Sequence, residues 1–309
     1  MKVTVLYGGP SAEREVSLVS GKAVIDGLRA MGHEVFPSDV SPTDLSGLDQ
    51  PCDVIFPVLH GEFGESGELQ EILEARNIPF VGSSSKASRL GMDKVATKKV
   101  WEKAGLPTPR YQVIKKGEAH EKLIEPCVVK AISSGSSIDV FVCKGAADGA
   151  QTGKADQALQ DILQRHDFAL VEQYIDGVEL TVGLLEENPL APIRIIPKSD
   201  FFDYHAKYKA NDTEHRFDTG LPESVVKHCQ ELARLANKAV GAVDLARVDI
   251  MLDQQHNPYL LEINTLPGFT SKSLLPEAAN HGGIAFGPLV DRLVKRAYAR
   301  GGRRSNNAQ

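Results

Sequence analysis

Two runs near the C-terminal end, Arg247–Leu252 and Tyr259–Asn264, alternate between polar and apolar residues, and this pattern constrains the fold more than any other. Between them Asp253-Gln254-Gln255-His256-Asn257-Pro258 is rich in turn formers, so the stretch reads as strand, turn, strand. Side chains alternate across a strand, which places Arg247, Asp249 and Met251 on one face and Val248, Ile250 and Leu252 on the other. On the return strand Leu260, Glu262 and Asn264 are expected to share a face, with Leu261 and Ile263 opposing it. One face can pack on a core. The other carries an arginine, two carboxylates and a carboxamide, an all-oxygen ligand set that suits Mg²⁺ shared with substrate phosphates. A surface hairpin with its polar face in water carries the same pattern. The irregular apolar turn that follows, Leu266-Pro267-Gly268-Phe269-Thr270-Ser271, argues against it.

At 309 residues the chain exceeds the size at which one core usually stops growing, so two or three domains are expected. Hydrophobic content of 42% and charged content of 25% are those of an ordinary globular protein. A net charge of −6, with no long basic run before the extreme C-terminus, argues against a nucleic-acid partner. Cys52, Cys127, Cys143 and Cys229 form no CxxC pair and read as reduced thiols, which points to a cytoplasmic protein. No apolar stretch is long enough to span a bilayer, and the first strand begins too early to leave room for a signal peptide.

Strand, helix, strand spacing over the first part of the chain predicts a parallel α/β domain at about 1–90. Strands are expected at Lys2–Tyr7, Glu34–Pro37, Asp53–Leu59 and Ile78–Gly82, with helices at Ser17–Met31 and Glu68–Arg76. Residues 91–176 read as a compact α+β unit. Residues 177–309 contain the hairpin, a polar lid-like stretch around Asp203 to Tyr208, and a last helix from Phe286 to about Ala299, with a disordered tail beyond it.

Several loops carry chemistry-bearing residues. The Ser/Gly loop Ser133-Ser134-Gly135-Ser136-Ser137 joins two strands, with Lys130 at its entrance, and suits phosphate oxygens as well as it suits a plain hairpin connection. Met92-Asp93-Lys94 adds a lysine at a helix start. Glu172-Gln173-Tyr174-Ile175, with Glu179 beyond it, is either an interdomain linker or a strand whose backbone meets an adenine edge. Glu15 lies just after the first strand, at the carboxyl edge where α/β sheets bind ligands, and His60-Gly61-Glu62 follows the third strand at the same edge.

Taken together, the runs YGGPSAEREVSL, HGEFGESGELQ, GSS with MDK, VVK with GSS, DYHAKY, RVDI and LEINTLPGFTSKSLLP resemble the D-alanine–D-alanine ligases of the ATP-grasp superfamily, from Val3 to about Lys295. The resemblance implies an ATP-grasp fold behind the α/β domain. It also implies a homodimer that links two D-alanine molecules through a D-alanyl phosphate, for peptidoglycan precursor synthesis, using ATP and two Mg²⁺ (or Mn²⁺). By that resemblance Lys94, Lys130 and the loop residues Ser133, Ser134, Ser136 and Ser137 would hold ATP phosphates. The backbone of Glu172, Tyr174 and Ile175 would meet adenine, and Glu179 the ribose. Asp249, Glu262 and Asn264 would hold the metals. Glu15 would face the first D-alanine's ammonium with His60 nearby, and Ser136 and Tyr208 would link to Glu15. Arg247 and the Gly268 backbone would stabilise the tetrahedral intermediate, while Lys207, Ser273 and Leu274 would receive the second carboxylate. The chain departs from the family at Ser133 and Ser134, where Arg-Glu is usual, and at Asp139, an acid expected to weaken ATP binding. It also departs in the lid segment 214–219 and at Lys272.

Overall fold

The computed structural model describes residues 1–133, 139–144, 154–197 and 213–306, which form three sheets and the helices that cover them. The first sheet is parallel, in the order β2-β1-β3, from β1 (Lys2–Tyr7), β2 (Glu34–Asp39) and β3 (Val54–Pro57). Val3, Val5, Val54 and Phe56 are buried in it against Val24 and Leu28 of α1 (Arg14–Ala30). α1 starts three residues earlier than its apolar period suggests, because the turn at Ser11 already accepts the Arg14 N–H. The expected strand at Ile78–Gly82 reduces to one bridge between Ile55 and Phe80. Pro79 has no N–H to extend a ladder, and the carbonyls of Phe80 and Gly82 accept from Arg300 instead.

Three helices follow, α2 (Glu68–Ala75), α3 (Ser85–Met92) and α4 (Lys94–Lys103). The Ser84 hydroxyl caps α3, accepting the Ala87 N–H, and Asp93 ends α3 while capping α4 by accepting the Ala96 N–H at 2.9 Å. Lys94, the first residue of α4, donates its N–H to the Ile132 carbonyl at 3.2 Å.

The second sheet is antiparallel, in the order β4-β7-β5-β6. It comprises β4 (Tyr111–Lys115), β5 (Cys127–Ala131), β6 (Val140–Cys143) and β7 (Phe168–Gln173). α5 (Lys154–Arg165) covers it with Ala155, Ala158, Leu159 and Ile162. The third sheet has the order β11-β10-β8-β12-β13, with the two-residue β9 (Asn188–Pro189) against β8. Its strands are β8 (Gly177–Leu185), β10 (Ile193–Pro197), β11 (Thr213–Arg216), β12 (Leu245–Asp253) and β13 (Pro258–Asn264). Leu232, Ala233 and Ala236 of α6 (Glu223–Val240) pack on its apolar face, together with Trp101 of α4. The Trp101 indole donates to the Ala236 carbonyl at 3.2 Å.

The last two helices are α7 (Leu274–His281) and α8 (Phe286–Asn306). α8 continues past Ala299 to Asn306, so most of the tail expected to be disordered is helical. Its Leu289, Val290, Leu293 and Val294 share the core of the first sheet, which returns the chain's end to its beginning. Among the described residues no helix is long and apolar enough to cross a membrane.

Candidate active site

The polar face of the third sheet brings three strands into register. Thr181 on β8 sits opposite Asp249 on β12, which sits opposite Glu262 on β13. Burial alternates along β12 as the sequence predicts, with Val248, Ile250 and Leu252 inside and Arg247, Asp249 and Met251 on the open face. Thr181 Oγ1 donates to Asp249 Oδ1 at 2.5 Å, and Arg247 forks onto both Asp249 oxygens at 3.0 and 2.9 Å. Asn264 lies opposite Arg247, and its Oδ1 accepts the Leu266 N–H at 2.8 Å, which starts the apolar turn.

The return strand does not alternate as expected. Asp249 pairs with Glu262 but Ile250 pairs with Leu260, so Leu261 is an extra residue, a β-bulge. Leu260 therefore turns into the core beside Ile250 and Ile263, and does not share a face with Glu262 and Asn264.

Lys94 Nζ lies 3.7 Å from Glu262 Oε2. Burial pushes the Glu262 carboxyl up, but Lys94, Lys130 and Arg247 outweigh it and hold it below the usual carboxylate range. Behind this face, Lys130 of β5 and Lys98 of α4 both pair with Glu172 of β7. Here too burial opposes ionisation and the two lysines prevail, so Glu172 stays charged. Glu172 enters the site through its side chain, because its backbone is part of a sheet ladder to Tyr111 and Val128. The next two N–H groups, of Gln173 and Tyr174, donate to the carbonyls of Arg110 and Pro126. Ile175 is buried, and Glu179 lies on the Asp249 side of β8, opposite Met251.

A second cluster forms where β1 and β3 end. Ser17 Oγ accepts the Gly8 N–H at 2.9 Å and donates to the Val58 carbonyl at 2.6 Å, tying the two loops together. Gly8 has φ +80, and a Cβ there would fall 2.4 Å from Asp39 Oδ1. His60 is buried, with Nδ1 3.0 Å from Glu65 Oε1 and Nε2 3.4 Å from Ser20 Oγ. Ser20 in turn accepts the Phe269 N–H at 3.4 Å, so the first sheet's loops meet the apolar turn after β13. In that turn Phe269 packs between Phe56 and Phe286, and Gly268 lies beside Ser273, which would sit 3.2 Å from a Cβ at 268. Ser273 also accepts the Thr270 N–H at 3.0 Å and precedes Leu274, where α7 begins.

Besides Glu65, the carboxylate close to His60 is Glu13, not the expected Glu15. Because α1 begins at Arg14, Glu15 falls in its first turn and is exposed, whereas Glu13 stays in the loop with its Oε2 close over Gly61. Burial and the neighbouring Glu65 raise the Glu13 carboxyl, and His60 opposes them. Asp139 also differs from expectation. Its two oxygens are taken by Arg165 and by His166, the latter at 2.8 Å, so its charge is compensated at the end of α5.

Ser133 is exposed at the edge of its loop. Ser134, Ser136, Ser137, Lys207 and Tyr208 lie outside the described residues. The sequence reading passed over Glu13, Glu65, Thr181 and Lys98. Lys98 had a signal: it follows Lys94 by four residues and so shares its helical face. Glu13 had one only if the helix start had been placed correctly.

Residues 100–295 match the family model described as the D-ala D-ala ligase C-terminus, and residues 41–83 match that of the N-terminus. The chain is 40% identical over 309 aligned residues to a D-alanine–D-alanine ligase of Gloeobacter violaceus, covering 96% of this chain and 99% of the relative. It is 42% identical over 303 residues to one of Acinetobacter baumannii, covering 95% of each. The crystal structure of the Bacillus anthracis D-alanine–D-alanine ligase complexed with ATP superposes with a TM-score of 0.84 at 29% identity, over 97% of this chain and 98% of that one. The Coxiella burnetii enzyme gives a TM-score of 0.85 at 25% identity, over 100% and 97%. With this fold, this polar face and matches over nearly its whole length, the chain belongs to the D-alanine–D-alanine ligase family.

Proposed function

We propose that this protein joins two D-alanine molecules into D-alanyl-D-alanine with the cleavage of ATP, supplying a peptidoglycan precursor. The observation that carries the reading is the convergence of Asp249, Glu262, Asn264, Arg247 and Lys94 on one sheet face, beside the turn that ends at Ser273. Among the described residues no three His, Cys, Asp or Glu side chains form a self-contained metal cage. Two carboxylates and an amide oxygen that need further oxygens fit a divalent ion shared with nucleotide phosphates. Mg²⁺ or Mn²⁺ held by Asp249, Glu262 and Asn264 would neutralise phosphate charge and polarise the transferring phosphoryl group.

The chain's own groups do the rest. Glu13, in place of Glu15, receives the ammonium of the first D-alanine beside His60. Lys94 and Lys130 hold the phosphates while an oxygen of the first D-alanine's carboxylate attacks the γ-phosphorus and ADP departs. The amine of the second D-alanine then attacks the acyl carbon of the D-alanyl phosphate. The amine proton passes to the departing phosphate, which leaves as hydrogen phosphate. Charge that develops on the carbonyl oxygen is met by Arg247 and the Gly268 N–H. The second D-alanine's carboxylate sits at Ser273 and Leu274, where the first N–H groups of α7 favour an anion.

The test is ADP release from ATP and Mg²⁺ with D-alanine, together with mass detection of the dipeptide. D-lactate and D-serine are offered in parallel as second substrates. D-alanine-dependent ADP release with D-alanyl-D-alanine as the main product is expected. ADP release without any dipeptide, or a depsipeptide as the main product, overturns the reading.

A further inference from the structure

Among the described residues Lys98 and Asp244 are fully buried charges that the reaction as described does not use, and Lys98 is the one beside the nucleotide corner. Its side chain is 0% exposed, and those of its neighbours Glu172 and Lys130 are 2% and 8% exposed. The two lysines approach the carboxylate from opposite sides, Lys98 on Oε1 and Lys130 on Oε2. Lys98 also donates to Thr108 Oγ1 at 2.5 Å, and that hydroxyl donates to the Leu260 carbonyl at 2.9 Å, next to the bulge that presents Glu262. The Tyr111 ring centroid lies 5.5 Å from its ammonium. Burying an ammonium is costly, and an apolar side chain of similar length would fill the same space at less cost. Packing alone therefore does not account for a lysine here.

Lys130 has two anions to serve. In the free protein it pairs with Glu172; in the proposed function it also holds ATP phosphate, and this inference rests on that reading. When phosphate draws Lys130 towards itself, Glu172 is left buried with less compensation, a penalty that would weaken nucleotide binding. Lys98 is anchored on the far side by Thr108, and Glu172 is its principal anion, with Glu102 a weaker influence. We propose that Lys98 is a positioning residue for the nucleotide: it remains as the counter-charge of Glu172 and so releases Lys130 to the phosphates. Through Thr108 it also ties that nucleotide corner to the strand that carries Glu262.

The test uses the full chain with Mg²⁺ and ADP, titrated by calorimetry. Lys98→Met keeps the length of the stem and removes the charge. Its dissociation constant for ADP should rise at least about tenfold, as expected for a buried carboxylate left with one cation. KM for ATP should follow, while KM for D-alanine changes by less than about twofold. In a Glu172→Gln background, where no buried negative charge remains, Lys98→Met should change ADP affinity by less than about twofold, since interacting groups are non-additive. An equal loss in both backgrounds means that Lys98 acts by packing and overturns the inference, as does an unchanged affinity in the single variant. Should Lys98→Met fail to fold, Thr108→Val unties the anchor and leaves the charge. It should then weaken ADP binding less but in the same direction, and an unchanged affinity counts against the proposal. Lys130→Met tells the two readings apart. If it leaves ADP binding intact, the phosphate role of Lys130 fails. If it weakens binding while Lys98→Met does not, only the role of Lys98 fails.

Discussion

Exchanging Glu13 for glutamine separates substrate recognition from folding more cleanly than any other change. Glu13 is half-buried in the loop before α1, facing His60 and Glu65, and its carboxyl is raised by burial and by Glu65. A hydrogen bond between charged partners contributes about 1.5–3 kcal/mol, and solvent at this half-open position favours the lower part of that range. Glu13→Gln should therefore raise KM for D-alanine by roughly 10- to 40-fold at saturating ATP. Glu15→Gln removes only a favourable charge at an exposed helix start, worth about 0.3–1 kcal/mol of stability, and should leave KM within about twofold. Acid sharpens the contrast. The ionised carboxylate is the form that binds an ammonium, so affinity is full above the raised pKa and falls as pH drops through it. That loss begins at higher pH than the ordinary glutamate value of about 4.3 would give. For stability the sign reverses. The fold favours the protonated carboxyl, so this group's contribution is fully present below the unfolded value and is lost as pH rises through the raised one. Glu13→Gln should then melt no lower than the parent at neutral pH while binding D-alanine worse. Coupled ADP release against D-alanine concentration at several pH values, with a thermal melt beside it, checks both halves. An unchanged KM in Glu13→Gln, or a larger loss in Glu15→Gln, would refute the assignment.

Glu262→Ala should lower D-alanine-dependent ADP release by roughly 100-fold or more at every Mg²⁺ concentration, and turnover within tenfold of the parent would sink the metal assignment. Trp101→Ala empties the contact between α4 and the third sheet and removes the indole's hydrogen bond to the Ala236 carbonyl. Denaturant melts should show a loss of about 3–5 kcal/mol, and a loss under 1 kcal/mol would mean that the site collapses on deletion. Asp244 is fully buried at φ +64 and accepts from the Gly82 N–H at 2.9 Å and from Arg300 and Arg296. Asp244→Ala should cost about 2–3 kcal/mol, discounted because both arginines are part-exposed, and should raise backbone exchange in α8 before the sheets. Exchange that rises uniformly would show that α8 does not dock through this residue.

Strong local signals let much of this be read from residues alone. The β-branched run before Gly8-Gly9 and the apolar alternation of β12 both match the structure because each element's period agrees with its burial. The losses arise where tertiary contacts override local pattern. α3 carries too few apolar residues to announce itself and exists because Ser84 and Asp93 frame it. Ile78–Gly82 looks like a strand but gives its carbonyls to Arg300, 220 residues away in the chain from Phe80. In the site, the shared polar face of Asp249, Glu262 and Asn264 was legible because a single hairpin carries them. The apolar period placed the start of α1 three residues late, since a helix start depends on which N–H groups find acceptors, and so Glu15 falls inside the helix and Glu13 before it. Lys98 shares a helical face with Lys94, but nothing local in the sequence announces the carboxylate it meets across the fold.

The extra residue at Leu261 acts on the strand as a frameshift acts on a message. On the turn side of it β13 is read in the frame of packing, with Leu260 inward; on the site side it is read in the frame of chemistry, with Glu262 and Asn264 outward. A one-residue deletion elsewhere in the hairpin would invert every side chain beyond it. Deletion of Leu261 itself would leave Leu260 and Glu262 facing as they do now, in a straighter strand. This position is where the hairpin can lose a residue and keep the Glu262 carboxylate on the open face of the sheet, one point of tolerance in an otherwise unforgiving strand.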